Sequence, residues 1–126
     1  MGMTYDTGAL VAADRGERRM WARHRALLAL RTVPTVPAPV VAQGWRGGGR
    51  QTLLAQLLRG CDVEVLDDER ARAVGEIAAK AGVSDVVDAC VAEGALRRRD
   101  LVITSHPEDL KVLADSVGGH LELERP

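Results

Sequence analysis

Short runs with strand character recur along this chain, and the stretches between them have helical spacing. The runs are MTY at 3–5, VPT at 33–35, CDVEVL at 61–66, LVIT at 101–104 and LELE at 121–124. Parallel neighbours in a sheet need a crossover, and the crossover is usually a helix, so this alternation points to an α/β protein. The expected architecture is one three-layer domain over residues 1–126, with a parallel central sheet and helices on both faces. Ligands of such sheets gather at the carboxyl ends of the strands.

The intervening helices are expected at 7–13, 17–30, 39–45, 51–58, 67–81 and 107–116, with one more capped by Ser84 and ending at Arg97, Arg98 and Arg99. Met20, Leu27 and Leu28 lie at helical spacing, Pro39 suits a first helical position, and Gly60 and Gly82 stand just past helix ends. The acids Asp85 and Asp88 near one end of the Ser84 helix, and the arginines near the other, both complement the helix dipole.

A chain of 126 residues buries roughly two-thirds of its unfolded surface, enough for one core. Tyr5, Trp21 and Trp45 are the sole aromatics, so that core is aliphatic. The same scarcity argues against nucleic-acid modules that stack bases on exposed rings. The net charge of −1 conceals a division: residues 15–50 hold eight Arg against Glu17 alone, whereas residues 51–126 hold nine bases against fifteen acids. Arg runs are commonly solvated helix faces, and they also attract polyanions. Cys61 and Cys90 have no ligand-type spacing, as expected of a reduced cytoplasmic protein. Neither a leader pattern nor a run of roughly 18 apolar residues is present, so no membrane association is expected.

Several carboxylates fall where strands end. Asp6 follows the first strand, and His106 and Asp109 follow the fourth. Asp85 and Asp88, three residues apart, share the first turn of their helix. Each has a structural explanation: Asp6 as the cap of the helix at Thr7, Asp85 and Asp109 as first-turn acids. Asp88 is harder to explain that way, since it interrupts the apolar run VVDACVA. If the sheet brings these acids together, their repulsion calls for a cation. Magnesium and manganese take oxygen ligands, keep several waters and suit a loose carboxylate cluster.

The glycine-rich GWRGGGRQT at 44–52 is not a phosphate-cradling P-loop, because Arg50 and Gln51 replace the required Lys and Ser/Thr and no strand precedes it. It reads as a flexible turn, with Arg46 and Arg50 available to phosphates. His24 and His120 read as surface residues.

The ordered set YDTGAL, PAPVVAQGWR, SDVVDACVA and VITSHPEDL resembles the PIN-domain family, in particular the small VapC-type toxins of toxin–antitoxin pairs. The resemblance spans almost the whole chain. It implies a Mg2+- or Mn2+-dependent endoribonuclease, typically a homodimer, inhibited by an antitoxin whose tail covers an acidic pocket. The family's motifs fall on Asp6, on Asp88 with Ala89, and on Thr104, His106 and Asp109. The expected site then has Asp6, Asp88 and Asp109 at the metal, Gln43 at the attacking water, and Arg46, Arg50 and Thr104 at the RNA. In two places the chain departs from the family pattern. Gln43 stands where a Glu is usual, and His106 where an Asp or Asn is usual. Both lower the negative charge, and an imidazole shifts preference toward manganese or softer ions.

Two functional expectations follow, a metal-dependent ribonuclease and a PIN-fold interaction protein that has lost its chemistry. A third, a receiver-like signalling domain using Thr104 and Lys111, lacks the paired acid after the first strand.

Overall fold

The computed structural model describes residues 2–126. Five strands, β1 (Met3–Tyr5), β2 (Thr35–Pro37), β3 (Asp62–Glu64), β4 (Leu101–Ile103) and β5 (Glu122–Glu124), form one sheet in the order β3-β2-β1-β4-β5. Every pairing is parallel. The helices are α1 (Thr7–Asp14), α2 (Arg18–Ala29), α3 (Ala38–Gly44), α4 (Thr52–Arg59), α5 (Asp68–Ala81), α6 (Val86–Arg98) and α7 (Pro107–Ser116). Helix α1 packs on α2, α3 and α4, whereas α5, α6 and α7 pack on one another. Right-handed crossovers lead β1 outward toward β3 through the first group and bring the chain back to β4 and β5 through the second. The two groups therefore cover opposite faces.

Each strand has three residues. Tyr5, Val36, Val102 and Ile103 are fully buried, as expected of central strands covered on both faces. Edge strands β3 and β5 instead carry Asp62, Glu64, Glu122 and Glu124, a charge pattern that discourages pairing with another chain. Leu10, Met20, Leu54, Leu57, Leu110 and Leu113 complete an aliphatic core.

Boundaries differ from the sequence reading where register decides them. The second strand lies at Thr35–Pro37 and not at 33–35, because Thr35 pairs with Thr4 and places Val36 in the core, while Val33 is left exposed. The third strand is trimmed to three residues, with Val65 and Leu66 exposed beyond the edge. Asp85, not Ser84, caps α6: one carboxylate oxygen accepts from the backbone N–H of Val87 at 3.0 Å and of Asp88 at 3.1 Å. The order of the strands also removes the receiver reading, whose sheet runs 2-1-3-4-5.

His24 is buried, not a surface residue, because its Nδ1 meets the Tyr5 hydroxyl at 2.9 Å and its ring packs edge-on against Trp21. Burial lowers its pKa, and the nearby Arg25 adds to the effect. The glycine-rich turn is likewise pinned. Buried Gln51 accepts from the N–H of Arg46 at 2.7 Å and of Gly47 at 3.1 Å, and donates to the Gly44 carbonyl at 2.9 Å. Cys61 is half-buried and Cys90 buried, both as free thiols, and burial pushes them up to about 12 and about 11. Among the described residues no helix is long and apolar enough to cross a membrane.

At the amino ends of β1 and β4, Asp100 accepts from the Gly2 N–H (3.0 Å), the Thr4 hydroxyl (2.8 Å) and Arg98 Nε (2.9 Å). Arg98 Nη2 donates in turn to Thr4 Oγ1 at 3.0 Å. Asp100→Ala strands three donors in a buried setting and is expected to cost about 3 kcal/mol or more of unfolding free energy in urea titrations. A cost under about 1 kcal/mol would show that water replaces the carboxylate there.

Candidate functional site

Strand β1 hands its chain to one face of the sheet and β4 to the other, so the crevice between their carboxyl ends is the topological switch point. Asp6 occupies it. Its backbone N–H donates to the Ile103 carbonyl at 3.0 Å, extending the β1–β4 pairing by one residue. The carboxylate is buried and held at both oxygens: Oδ1 accepts from the Thr7 N–H and Oδ2 from the Thr104 hydroxyl, each at 2.7 Å. Asp6 is thus both the helix cap that the sequence allowed and an acid at the mouth of the sheet.

Thr104 is fully buried, so its hydroxyl is turned to protein partners and not to the substrate contact expected of it. Its hydroxyl donates to Asp6 and accepts from the His106 N–H at 3.0 Å, fixing the loop between β4 and α7. The same loop presses on α1. A Cβ on Gly8 would stand 2.1 Å from Ser105 Oγ and 2.9 Å from the Ser105 backbone nitrogen, so only glycine fits.

A cleft of about 670 Å3 opens above these residues. Asp6, Gln43, Asp85, Asp88, His106 and Asp109 all line it, so the fold assembles the acids from β1, α6 and α7. Gln43, near the end of α3, accepts the Thr7 hydroxyl through its Oε1 and keeps its amide N–H groups for other partners. Asp88 is half-buried on the first turn of α6. Burial first, and then the charges of Asp85, Asp6 and Asp109, raise its carboxyl from 3.8 to about 6, with His106 pulling weakly the other way. Loss of solvent and like charge thus act in the same direction on this carboxyl, both favouring its protonated form.

The expected phosphate contacts are not in this cleft. Arg46 turns its guanidinium back onto the end of α3, donating to the carbonyls of Ala42 (3.2 Å) and Trp45 (2.9 Å), and Arg50 sits on the turn before α4. The cations that line the cleft are Arg15, after α1, and Arg125, after β5. Sequence reasoning missed both, because it weighed the local glycine-rich context over the parallel direction of β5, which carries residue 125 to the site's side of the sheet.

The described residues contain no three Asp, Glu, His or Cys side chains that close on one point tightly enough to hold an ion unaided. The donor chemistry still fits Mg2+ or Mn2+, which bind through one or two carboxylates, keep several waters and share substrate phosphates. It does not fit a closed zinc site.

The raised Asp88 carboxyl sets a pH signature. The folded protein holds that proton more tightly than the unfolded chain, so stability from this group is full below pH about 4 and declines as pH rises through about 6. Asn cannot ionise, so the melting temperature of Asp88→Asn relative to the parent is expected to climb between pH 4 and 7, as followed by thermal denaturation. Millimolar Mn2+ is expected to shrink that gap at pH 7. A gap independent of pH would mean that the Asp88 carboxyl is not raised in the folded protein.

No family model matches the chain, and no curated protein matches it in sequence. Among solved structures it is similar to VapBC2 from Rickettsia felis bound to a DNA fragment from their promoter, with a TM-score of 0.74 and 16% identity, over 100% of this chain and 99% of that one. Together with the parallel five-stranded sheet, that likeness shows a PIN-like α/β fold for this chain.

Proposed function

We propose that the protein is a metal-dependent endoribonuclease of the VapC toxin type, acting in the cleft at the switch point. The observation that supports this reading most is that Asp6, Asp85, Asp88 and Asp109, brought from three parts of the chain, line one cleft; burial first, and then the other three acids, raise the Asp88 carboxyl to about 6. Crowded carboxylates destabilise a fold unless a cation or a proton relieves them, so the arrangement makes sense as a cation site.

In this reading Asp6 and Asp88 hold Mg2+ or Mn2+, and Asp109 supports it directly or through water. The ion, when bound, supplies Lewis acidity that acidifies a water and offsets charge on the phosphodiester. Asp6 contributes rigidity, because Thr7 and Thr104 fix both of its oxygens. Gln43 orients and does not deprotonate: a carboxamide is no base, and its carbonyl is occupied by Thr7, so its N–H groups face a water or a phosphate oxygen. His106, exposed on the loop after β4, offers an imidazole to the same cleft. A cognate antitoxin, a homodimeric state and a cytoplasmic setting belong to the same reading.

A second reading, an interaction protein without chemistry, draws on Gln43 and His106 standing where acids are usual and on the lack of a three-ligand cluster. Two measurements separate them. Single-stranded RNA incubated with Mn2+ is expected to be cut by the parent protein, and Asp6→Asn or Asp88→Asn to slow cutting by about 100-fold or more. Gln43→Glu is expected to tighten Mn2+ binding in calorimetry. An uncut RNA, with no Mn2+ bound until Gln43→Glu is introduced, would establish the second reading.

A further inference from the structure

A cleft lined by four aspartates repels a polyanion, so any RNA entering it needs fixed positive charge along the walls. Arg46 and Arg50 do not supply it, as Arg46 is committed to backbone carbonyls and neither lines the cleft. We infer that Arg15 and Arg125 are the residues that position the RNA backbone, holding phosphates that neighbour the scissile one; this rests on the ribonuclease reading.

Arg125 is built into the site from two directions. Its Nη1 donates to the Ser105 carbonyl at 3.0 Å, which ties its guanidinium to the loop that fixes Asp6 through Thr104. Its own carbonyl accepts from Arg23 Nη1 at 3.1 Å, and the preceding Glu124 pairs with Arg23 Nη2 at 3.1 Å, so its backbone is anchored on α2. The remaining N–H groups of the guanidinium are available, since the contact to exposed Glu108 is long, at 3.8 Å, and easily screened. A planar guanidinium held by one edge is preorganised for two-point contact with a phosphate.

Arg15 follows the last turn of α1. Val11 and Ala12 share the cleft wall with it, so that face of α1 runs away from Asp6 along the opening. The distance from residue 8 to residue 15 is about 10 Å at a rise of about 1.5 Å per residue, which places Arg15 at a phosphate removed from the one beside Asp6. Among the described residues its guanidinium has no hydrogen-bond or ion-pair partner. The cleft wall thus carries two cations besides its acids, Arg15 beyond the last turn of α1 and Arg125 tied to the loop after β4.

The test is fluorescence anisotropy of a labelled single-stranded RNA without divalent ions, in an Asp88→Asn background that prevents cleavage, over a range of KCl concentrations. Arg15→Ala and Arg125→Ala are each expected to weaken binding severalfold and to reduce the slope of log K against log salt by about 0.7, the value for one phosphate contact to a single strand. Arg46→Ala and Arg50→Ala are expected to leave the slope unchanged. Arg125→Lys is expected to keep the slope while losing part of the affinity. A slope change is not produced by a merely structural defect. RNA bound with an unchanged slope in both alanine variants overturns the inference, and so does an absence of RNA binding. If the slopes fall as expected but the parent protein with Mn2+ leaves RNA uncut, the positioning residues stand and the ribonuclease reading fails.

Discussion

The hydroxyl of Thr104 joins the two central strands at the one place where the chain leaves the sheet in opposite directions. By donating to Asp6 and accepting from the His106 N–H, it fixes an acid from β1 and the loop after β4 in one hydrogen-bonded unit. Because β1 and β4 pair in parallel from Met3 with Leu101 to Tyr5 with Ile103, both chain ends arrive at the same edge. The other contributors need that frame: α1 starts where Asp6 caps it, Gly8 lets that helix lie on Ser105, and Ser105 in turn holds Arg125. A hydroxyl with both functions in use cannot be replaced by an isosteric methyl without loosening both sides.

Much of this frame was legible in the residues. Strand and helix alternated cleanly, and the parallel sheet followed from the need for crossovers. Asp6 and Asp88 stood out because each carboxylate sits beside apolar sequence, and the fold places both on one cleft. The resemblance correctly indicated a PIN-like fold, whereas the substrate contact expected of Thr104 gives way to a buried hydroxyl bonded to Asp6 and to the loop after β4. Helix starts shifted where two adjacent polar residues competed for the cap: Asp85 prevailed over Ser84 because its carboxylate reaches two N–H groups at once.

Other features lay beyond local reasoning. His24 looked like a surface residue because its neighbours are arginines, yet its partner is Tyr5, nineteen positions away. Gln51 does not fit the P-loop pattern, and its closing of the glycine-rich turn depends on backbone groups four to seven residues away that no motif encodes. The arginines of the cleft were hidden among seventeen basic residues, and only the direction of β5 singles out Arg125. Such assignments depend on which elements meet in space, which composition and periodicity do not encode.

The two poles of the sheet treat carboxylates in opposite ways. At the amino ends of β1 and β4, Asp100 is saturated by three donors and shielded from solvent. At the carboxyl ends the acids face one another across an open cleft. The carboxylate that ties the amino ends of the central strands and the carboxylates of the cleft thus stand at opposite poles of the sheet, so side chains around the opening can be exchanged without touching the network that holds those strands together.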